Sequence, residues 1–217
     1  MDSAESRRKR EEMVRFQLQS RGIRDPRVLD AMREIPREVF LPEGKEHDAY
    51  WDGALPIGHG QTISQPYIVA LMTEALKLKA EDKVLEVGTG SGYQAAILAR
   101  LCRWVYTIER LGALAQPVGE RLARLGISNV TLLTGDGTLG YEEEAPYDGI
   151  IVTAAAPHTP RPLFEQLAEG GRLVIPEGGR SHQVLYQIRK REGRQERQRL
   201  CDCVFVPLVG QEGWEKA

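Results

Sequence analysis

Apolar residues recur along this chain with two different periods, and the change between them divides it. From residue 5 to about 40 the spacing is helical, with Met13, Phe16 and Leu18 leading to a turn at Arg21-Gly22-Ile23. Asp25-Pro26 reads as an N-cap followed by proline in the first turn, opening a helix through Val28, Leu29 and Met32 that ends before Pro36. Phe40-Leu41-Pro42 returns the chain to an extended path. Residues 43–63 hold several turn formers and little periodicity, so they read as a loop-rich connection. Ser64-Gln65-Pro66 has the form of another helix start, with Ile68, Val69, Leu71, Met72, Ala75 and Leu76 as its apolar stripe.

Beyond residue 80 short apolar runs alternate with helical segments. Lys83–Val87, Trp104–Ile108, Val130–Thr134, Tyr147–Thr153 and Arg172–Ile175 read as strands; Tyr93–Leu101, Ala113–Leu125 and Pro162–Leu167 read as helices. Such alternation implies right-handed crossovers and a mainly parallel sheet with helices on both faces. Gln183–Lys190 and Arg199–Val206 flank a charged turn at Glu192-Gly193 and predict an antiparallel pair at one sheet edge. The expected class is therefore α/β, a doubly wound, Rossmann-like sheet. Residues 1–217 form a single domain, in which 1–63 are a helical and loop extension, 64–180 an α/β core and 181–217 a C-terminal hairpin and tail.

With 217 residues, 41% apolar and 28% charged, the chain can bury a core of that size. A net charge of −2 gives no global basic field for nucleic acid. Cys102, Cys201 and Cys203 are an odd set, and the start of the chain is charged where a secretory leader needs an apolar core, so a reducing, cytoplasmic setting is expected. Cys201 and Cys203 lack the second pair of ligands a metal site needs, and read as small hydrophobes on one strand face; no metal is expected. Nothing reaches the length of a membrane span. Arg7-Arg8-Lys9-Arg10, followed by Glu11-Glu12, reads as a solvated helix face with local ion pairs. A monomer is expected, because no apolar helix face is left over.

The stretch VLEVGTGSGY, residues 84–93, carries the clearest chemistry. A strand runs into Gly88, Gly90 and Gly92, and a helix follows, an arrangement that lets backbone approach a nucleotide-like cofactor and aims helix N–H groups at it. Tyr93 stands where the dinucleotide fingerprint needs its last glycine. Glu86, inside the strand, calls for a cationic ligand group, since an unpaired buried carboxylate is costly. S-adenosylmethionine has an ammonium and a sulfonium and no phosphate. Glu109, closing the next strand, suits the two ribose hydroxyls, and Asp136-Gly137, closing the third, suits the adenine.

On these motifs, with RGIRDPRVLDAMREIPREVFLP, IGHGQTISQPYIVALMTEAL, YDGIIVTAAAP and FVPLVG, the chain resembles the protein-L-isoaspartate O-methyltransferases of the class I S-adenosylmethionine-dependent methyltransferases. The glycine loop marks only the superfamily; GHGQTISQP is far more specific. The resemblance implies methyl transfer from S-adenosylmethionine, leaving S-adenosyl-L-homocysteine, to the α-carboxylate of L-isoaspartyl residues in damaged proteins and peptides. It implies cofactor contacts at Ile63, Glu86, Gly88, Gly90, Gly92, Glu109, Asp136 and Gly137, an active-site serine at Ser64, and substrate contacts at Thr62, Ser64 and Val206. TAAAP, residues 153–157, reads equally as cleft floor or as plain loop packing.

Ser64 has three readings on its residues alone: nucleophile, helix cap, or hydrogen-bond donor to a ligand. No G-x-S-x-G elbow surrounds it, and a carboxylate acceptor with a reference pKa of about 4 is already ionised at neutral pH, so neither a nucleophile nor a general base is required. The loop 58–67 has no acidic side chain to repel an incoming carboxylate. Three rival functions remain: a methyltransferase acting on small molecules or nucleic acid, a nicotinamide-dependent oxidoreductase, and a non-catalytic cofactor-binding module.

Overall fold

The computed structural model describes residues 3–215; the outermost two positions at each end of the expected domain lie outside them. Helix α1, Ala4–Met13, passes through a π turn, Val14–Leu18, into a 3₁₀ turn, Gln19–Arg21. The chain then forms α2, Pro26–Glu34, whose Asp25 side chain accepts from the Arg27 N–H with Pro26 in the first turn, as the sequence implies. Its stripe of Val28, Leu29, Ala31 and Met32 is buried. Lys9 and Arg8 pair with Glu5 and Glu12 at 2.9 and 2.6 Å on the solvated face. Arg10 departs from that reading: it is buried and reaches the Tyr50 hydroxyl at 3.4 Å.

The connection expected to be loop carries a small antiparallel hairpin, β1 Leu55–Gly58 and β2 Gln61–Ile63. Its turn places Gly58, His59 and Gly60 all at positive φ, and strands of four and three residues are too short to show a period. Helix α3, Pro66–Leu76, follows and stops at Lys77 in the left-handed conformation. Then come β3 Lys83–Val87, α4 Tyr93–Ala99, β4 Trp104–Glu109, α5 Gly112–Ala115, α6 Val118–Arg124, β5 Val130–Thr134, β6 Tyr147–Val152, α7 Arg161–Glu165, β7 Leu167–Gly178, β8 Gln183–Arg191 and β9 Arg194–Cys203. The helix expected over 113–125 is split in two at Pro117, which has no N–H to give. Strand β7 is longer than 172–175. It starts in register with Tyr147 and carries three extra residues before Arg172 pairs with Gly149, where Gly170-Gly171 lets the chain bend. Strand β9 starts five residues earlier than expected, because the turn at 192–193 is tight and the polar run after it pairs fully with β8.

The seven-stranded sheet has the order β5-β4-β3-β6-β7-β8-β9. Strands β3 to β7 pair in parallel, and β8 and β9 add antiparallel at one edge. The order reverses at β3, so the crevice beyond the carboxyl ends of β3 and β6 is the switch point where such sheets take ligands. Alternation on β3 divides the core. Val84 packs with α2, α3 and α4, whereas Leu85 and Val87 pack with Ile150, Val152 and Leu163 on the other face. Glu86 lies on the first of these faces and is fully buried. Cys201 and Cys203 are partly buried against that core.

Candidate functional site

A cleft with about 830 Å³ of open space, counting what is open to solvent, lies at the switch point. The glycine loop, the ends of β4 and β6, the hairpin strand β2 with Ser64, and residues 206–209 line it. Of the residues picked from the sequence, Thr62, Ile63, Ser64, Gly88, Gly90, Glu109, Gly137 and Val206 all line this cleft. Glu86, Gly92 and Asp136 do not.

Each glycine of the loop has a different duty. Gly92 sits at φ 88°, and a Cβ there would stand 2.6 Å from Val118 Cγ1 of α6, so it serves packing. Gly90 sits at φ 52° with only Ile57 Cδ1 near, at 3.7 Å; its missing side chain leaves open space under the hairpin. Of the amides of residues 88–92, all but that of Ser91 are taken by partners among the described residues, so the loop offers fewer free amides than the sequence suggests. Gly88 and Thr89 donate to the Ile108 carbonyl, Gly92 to the Thr89 carbonyl, and Gly90 to Glu109 Oε2 at 2.9 Å. With one amide left over, the loop suits a ligand without phosphate better than one that carries it.

Glu109, 6% exposed, holds the loop in shape: its second oxygen accepts from the Leu111 N–H at 3.0 Å, leaving its remaining lone pairs toward the cleft it lines. Thr153 at the end of β6 secures the loop from the other side, donating to the Gly88 carbonyl at 2.6 Å. Asp136 is turned away. One of its oxygens accepts from the N–H and hydroxyl of Thr138, the other from the Gln211 N–H at 2.8 Å, so it ties the turn after β5 to the C-terminal segment. Its neighbour Gly137 takes the cleft position, with a would-be Cβ 2.5 Å from Val87 Cγ1.

Glu86 is buried behind the loop. Its Oε2 accepts from Thr107 Oγ1 at 2.5 Å, Thr107 Oγ1 lies 2.6 Å from Thr89 Oγ1, and Thr89 lines the cleft. Among the described residues Oε1 of Glu86 has no partner. Burial pushes the carboxyl up to about 8, against the Thr107 hydrogen bond; the charge of Glu109 adds to the rise. The two threonines were missed in the sequence. Thr107 stands opposite Glu86 in register, and the period of two in WVYTIE puts it on the same face.

Ser64 is not the cap of α3. Gln65 occupies that position without a side-chain cap bond and sends its amide to Asp52 Oδ1 at 2.7 Å. Nor does His59 serve it, being exposed at the hairpin turn. No described residue hydrogen-bonds the Ser64 hydroxyl. A second cavity, of about 620 Å³, opens beside the first between Ala54, Ile68 and the segment 202–206. Thr62, Ser64, Thr153 and Val206 line both. The segment 204–210 is fixed there: Ala155 donates to the Val206 carbonyl and Leu208 to the Ala155 carbonyl, each at 2.8 Å. So TAAAP divides its work, with Thr153 and Ala154 lining the cleft and Ala155 and Ala156 buried in packing. Among the described residues no cluster of metal-ligating side chains exists, and no helix is long and apolar enough to cross a membrane.

The family profile described as Protein-L-isoaspartate(D-aspartate) O-methyltransferase matches residues 8–213. A protein-L-isoaspartate O-methyltransferase of Methanoculleus marisnigri is 56% identical over 215 residues, 99% of this chain and 98% of the relative. That of Methanoregula boonei is 57% identical over 206 residues, covering 95% of each. A solved protein-L-isoaspartate O-methyltransferase superimposes with a TM-score of 0.85 at 31% identity, covering 94% of this chain and 67% of the other. A Plasmodium falciparum chain, assigned as a beta-aspartate methyltransferase and solved in complex with S-adenosyl-L-homocysteine, gives a TM-score of 0.79 at 31% identity, covering 92% of this chain and 98% of its own. This chain belongs to the protein-L-isoaspartate(D-aspartate) O-methyltransferase family.

Proposed function

We propose that this chain transfers a methyl group from S-adenosylmethionine to the α-carboxylate of L-isoaspartyl residues in proteins and peptides. The observation that carries this reading is the pair of abutting cavities with Ser64 on the shared wall. One has the loop and acids of a cofactor cleft; the other, bounded by Val204 and Phe205, lies beside it and would seat the peptide that carries the acceptor.

The residues fit the cofactor. Gly90 leaves room, Glu109 has lone pairs for ribose hydroxyls, Gly137 and Ile63 supply flat apolar wall, and the buried carboxyl of Glu86 has an oxygen with no partner among the described residues. When bound, S-adenosylmethionine supplies an electrophilic methyl on a positively charged sulfur, and S-adenosyl-L-homocysteine remains after the carboxylate has taken it. The protein's task is orientation. Ser64 donates its free hydroxyl to the substrate carboxylate, Thr62 and Val206 hold the peptide on either side, and the hairpin β1–β2 keeps water from the reacting atoms. No residue acts as general base, because the acceptor arrives ionised, and displacement runs in line across the shared wall. Neutral residues from 58 to 67 leave the carboxylate unrepelled.

Incubation of an isoaspartyl peptide with enzyme and S-adenosylmethionine, followed by chromatography, tests this. Methyl esters reclose to a succinimide that opens partly to aspartate, so the isoaspartyl peak is expected to decline as the aspartyl peak grows. An unchanged isoaspartyl peak with cofactor bound would refute the acceptor.

A further inference from the structure

A buried chain of three side chains runs from the cofactor cleft into the sheet: Thr89 on the wall, Thr107 behind it, Glu86 at the end. Thr89 is 3% exposed and Thr107 and Glu86 not at all, so no solvent breaks the line. Either threonine can donate across the 2.6 Å contact between their hydroxyls. With Glu86 ionised, Thr107 donates to it and Thr89 donates to Thr107, leaving Thr89 only lone pairs for the cleft. With Glu86 protonated the chain can run the other way, and Thr89 then turns its proton outward. A cationic ligand is served by the first arrangement and opposed by the second.

Resting on the cofactor reading above, we propose that binding of S-adenosylmethionine is coupled to proton release from Glu86, and that Thr89 and Thr107 carry the coupling. On binding, the Glu86 O–H bond breaks, the carboxylate keeps the electron pair, and one proton passes to the buffer. The positive charge arriving in the cleft balances the negative charge left behind in the sheet.

The surroundings make this carboxyl the responsive group. Among the described residues, Glu109 of β4 is the one charged side chain acting on it, and it opposes ionisation. Strand β6 presents Ile151 in register. The helices covering this face, α3 and α4, bring Thr73 and Gln94, which bond each other at 2.9 Å, and Tyr93, a neutral phenol near pH 7. Without a ligand, burial holds Glu86 up to about 8, which leaves it roughly nine-tenths protonated at pH 7. Glu86 acts through the threonines and is therefore a positioning residue.

Calorimetric titration of the full chain with S-adenosylmethionine at pH 7, in two buffers of different ionisation enthalpy, counts the protons. The wild type is expected to release close to one. Glu86→Gln and Thr107→Val, both near-isosteric, are expected to bind with little release. Without any variant, wild-type affinity is expected to tighten roughly tenfold from pH 6 to pH 7, roughly fivefold more by pH 8, and to level above that. Equal release by wild type and Glu86→Gln would overturn the proposal, as would full release by Thr107→Val or a flat affinity between pH 6 and 7. Absence of any binding by the wild type would instead overturn the cofactor reading, and this inference with it.

Discussion

Gly92→Ala isolates what the last glycine of the loop is for. Two costs add at this position. At φ 88° a residue with a Cβ is strained by about 1–2 kcal/mol. The new methyl would also stand 2.6 Å from Val118 Cγ1, and Val118 is fully buried, so the overlap costs a further ~1–3 kcal/mol. The expected destabilisation is about 2–5 kcal/mol, a fall in melting temperature of roughly 5–15 °C for a chain of this size. Val118→Ala alone is expected to cost about 2 kcal/mol through lost burial and the cavity left. In the double variant that cavity receives the alanine methyl. The two changes are then expected to be less than additive, by ~1–3 kcal/mol, with the backbone strain remaining. Urea unfolding of the four proteins measures the cycle. Strict additivity would refute close packing as the reason for glycine here. A large loss of cofactor affinity in folded Gly92→Ala would refute the claim that this glycine stands outside the cleft.

Ser64→Ala is expected to slow methyl transfer about 10–100-fold while leaving cofactor affinity within twofold, since it removes one hydrogen bond to a charged acceptor; steady-state kinetics with calorimetry checks both. Glu109→Ala is expected to weaken cofactor binding more than it slows turnover of the bound complex, because Gly90 and Leu111 both lose their acceptor. Glu86→Gln is expected to stabilise the ligand-free protein increasingly as pH rises. A carboxyl whose folded value is about 8 against 4.5 contributes stability that is complete below pH 4.5 and is lost progressively up to about pH 8, so the gain in melting temperature is expected to be larger at pH 8 than at pH 5. Arg37→Met is expected to be neutral or stabilising in thermal melts. That guanidinium is fully buried against the Tyr93 ring, burial lowers it to about 10, and two of its nitrogens have no partner among the described residues.

The strands that position the site were legible because they are short apolar runs closed by glycine or an acid, and both ends of Lys83–Val87 and Val130–Thr134 follow from that pattern. What the residues did not disclose depends on the third dimension. The hairpin over the cleft has too few residues for a period to appear, although Gly58 and Gly60 mark its turn. Asp136, just past a strand end, reads locally as a cleft residue; Gln211, seventy-five positions away, takes its second oxygen instead. The serine in Ser64-Gln65-Pro66 resembles a cap, yet the helix starts one residue later and leaves its hydroxyl unused. The Thr89–Thr107–Glu86 line needs the register between β3 and β4, which no local pattern contains. Motif spacing located the cleft; long-range pairing decided which groups face it.

The central claim is that this cleft methylates an isoaspartyl carboxylate and no ordinary side-chain carboxylate. Its most direct test uses S-adenosylmethionine labelled in the methyl group and two synthetic peptides that differ only in L-isoaspartate or L-aspartate at one position. Base-labile label on the isoaspartyl peptide alone is the expected result. Label on both peptides, or on neither while the cofactor binds, would contradict it.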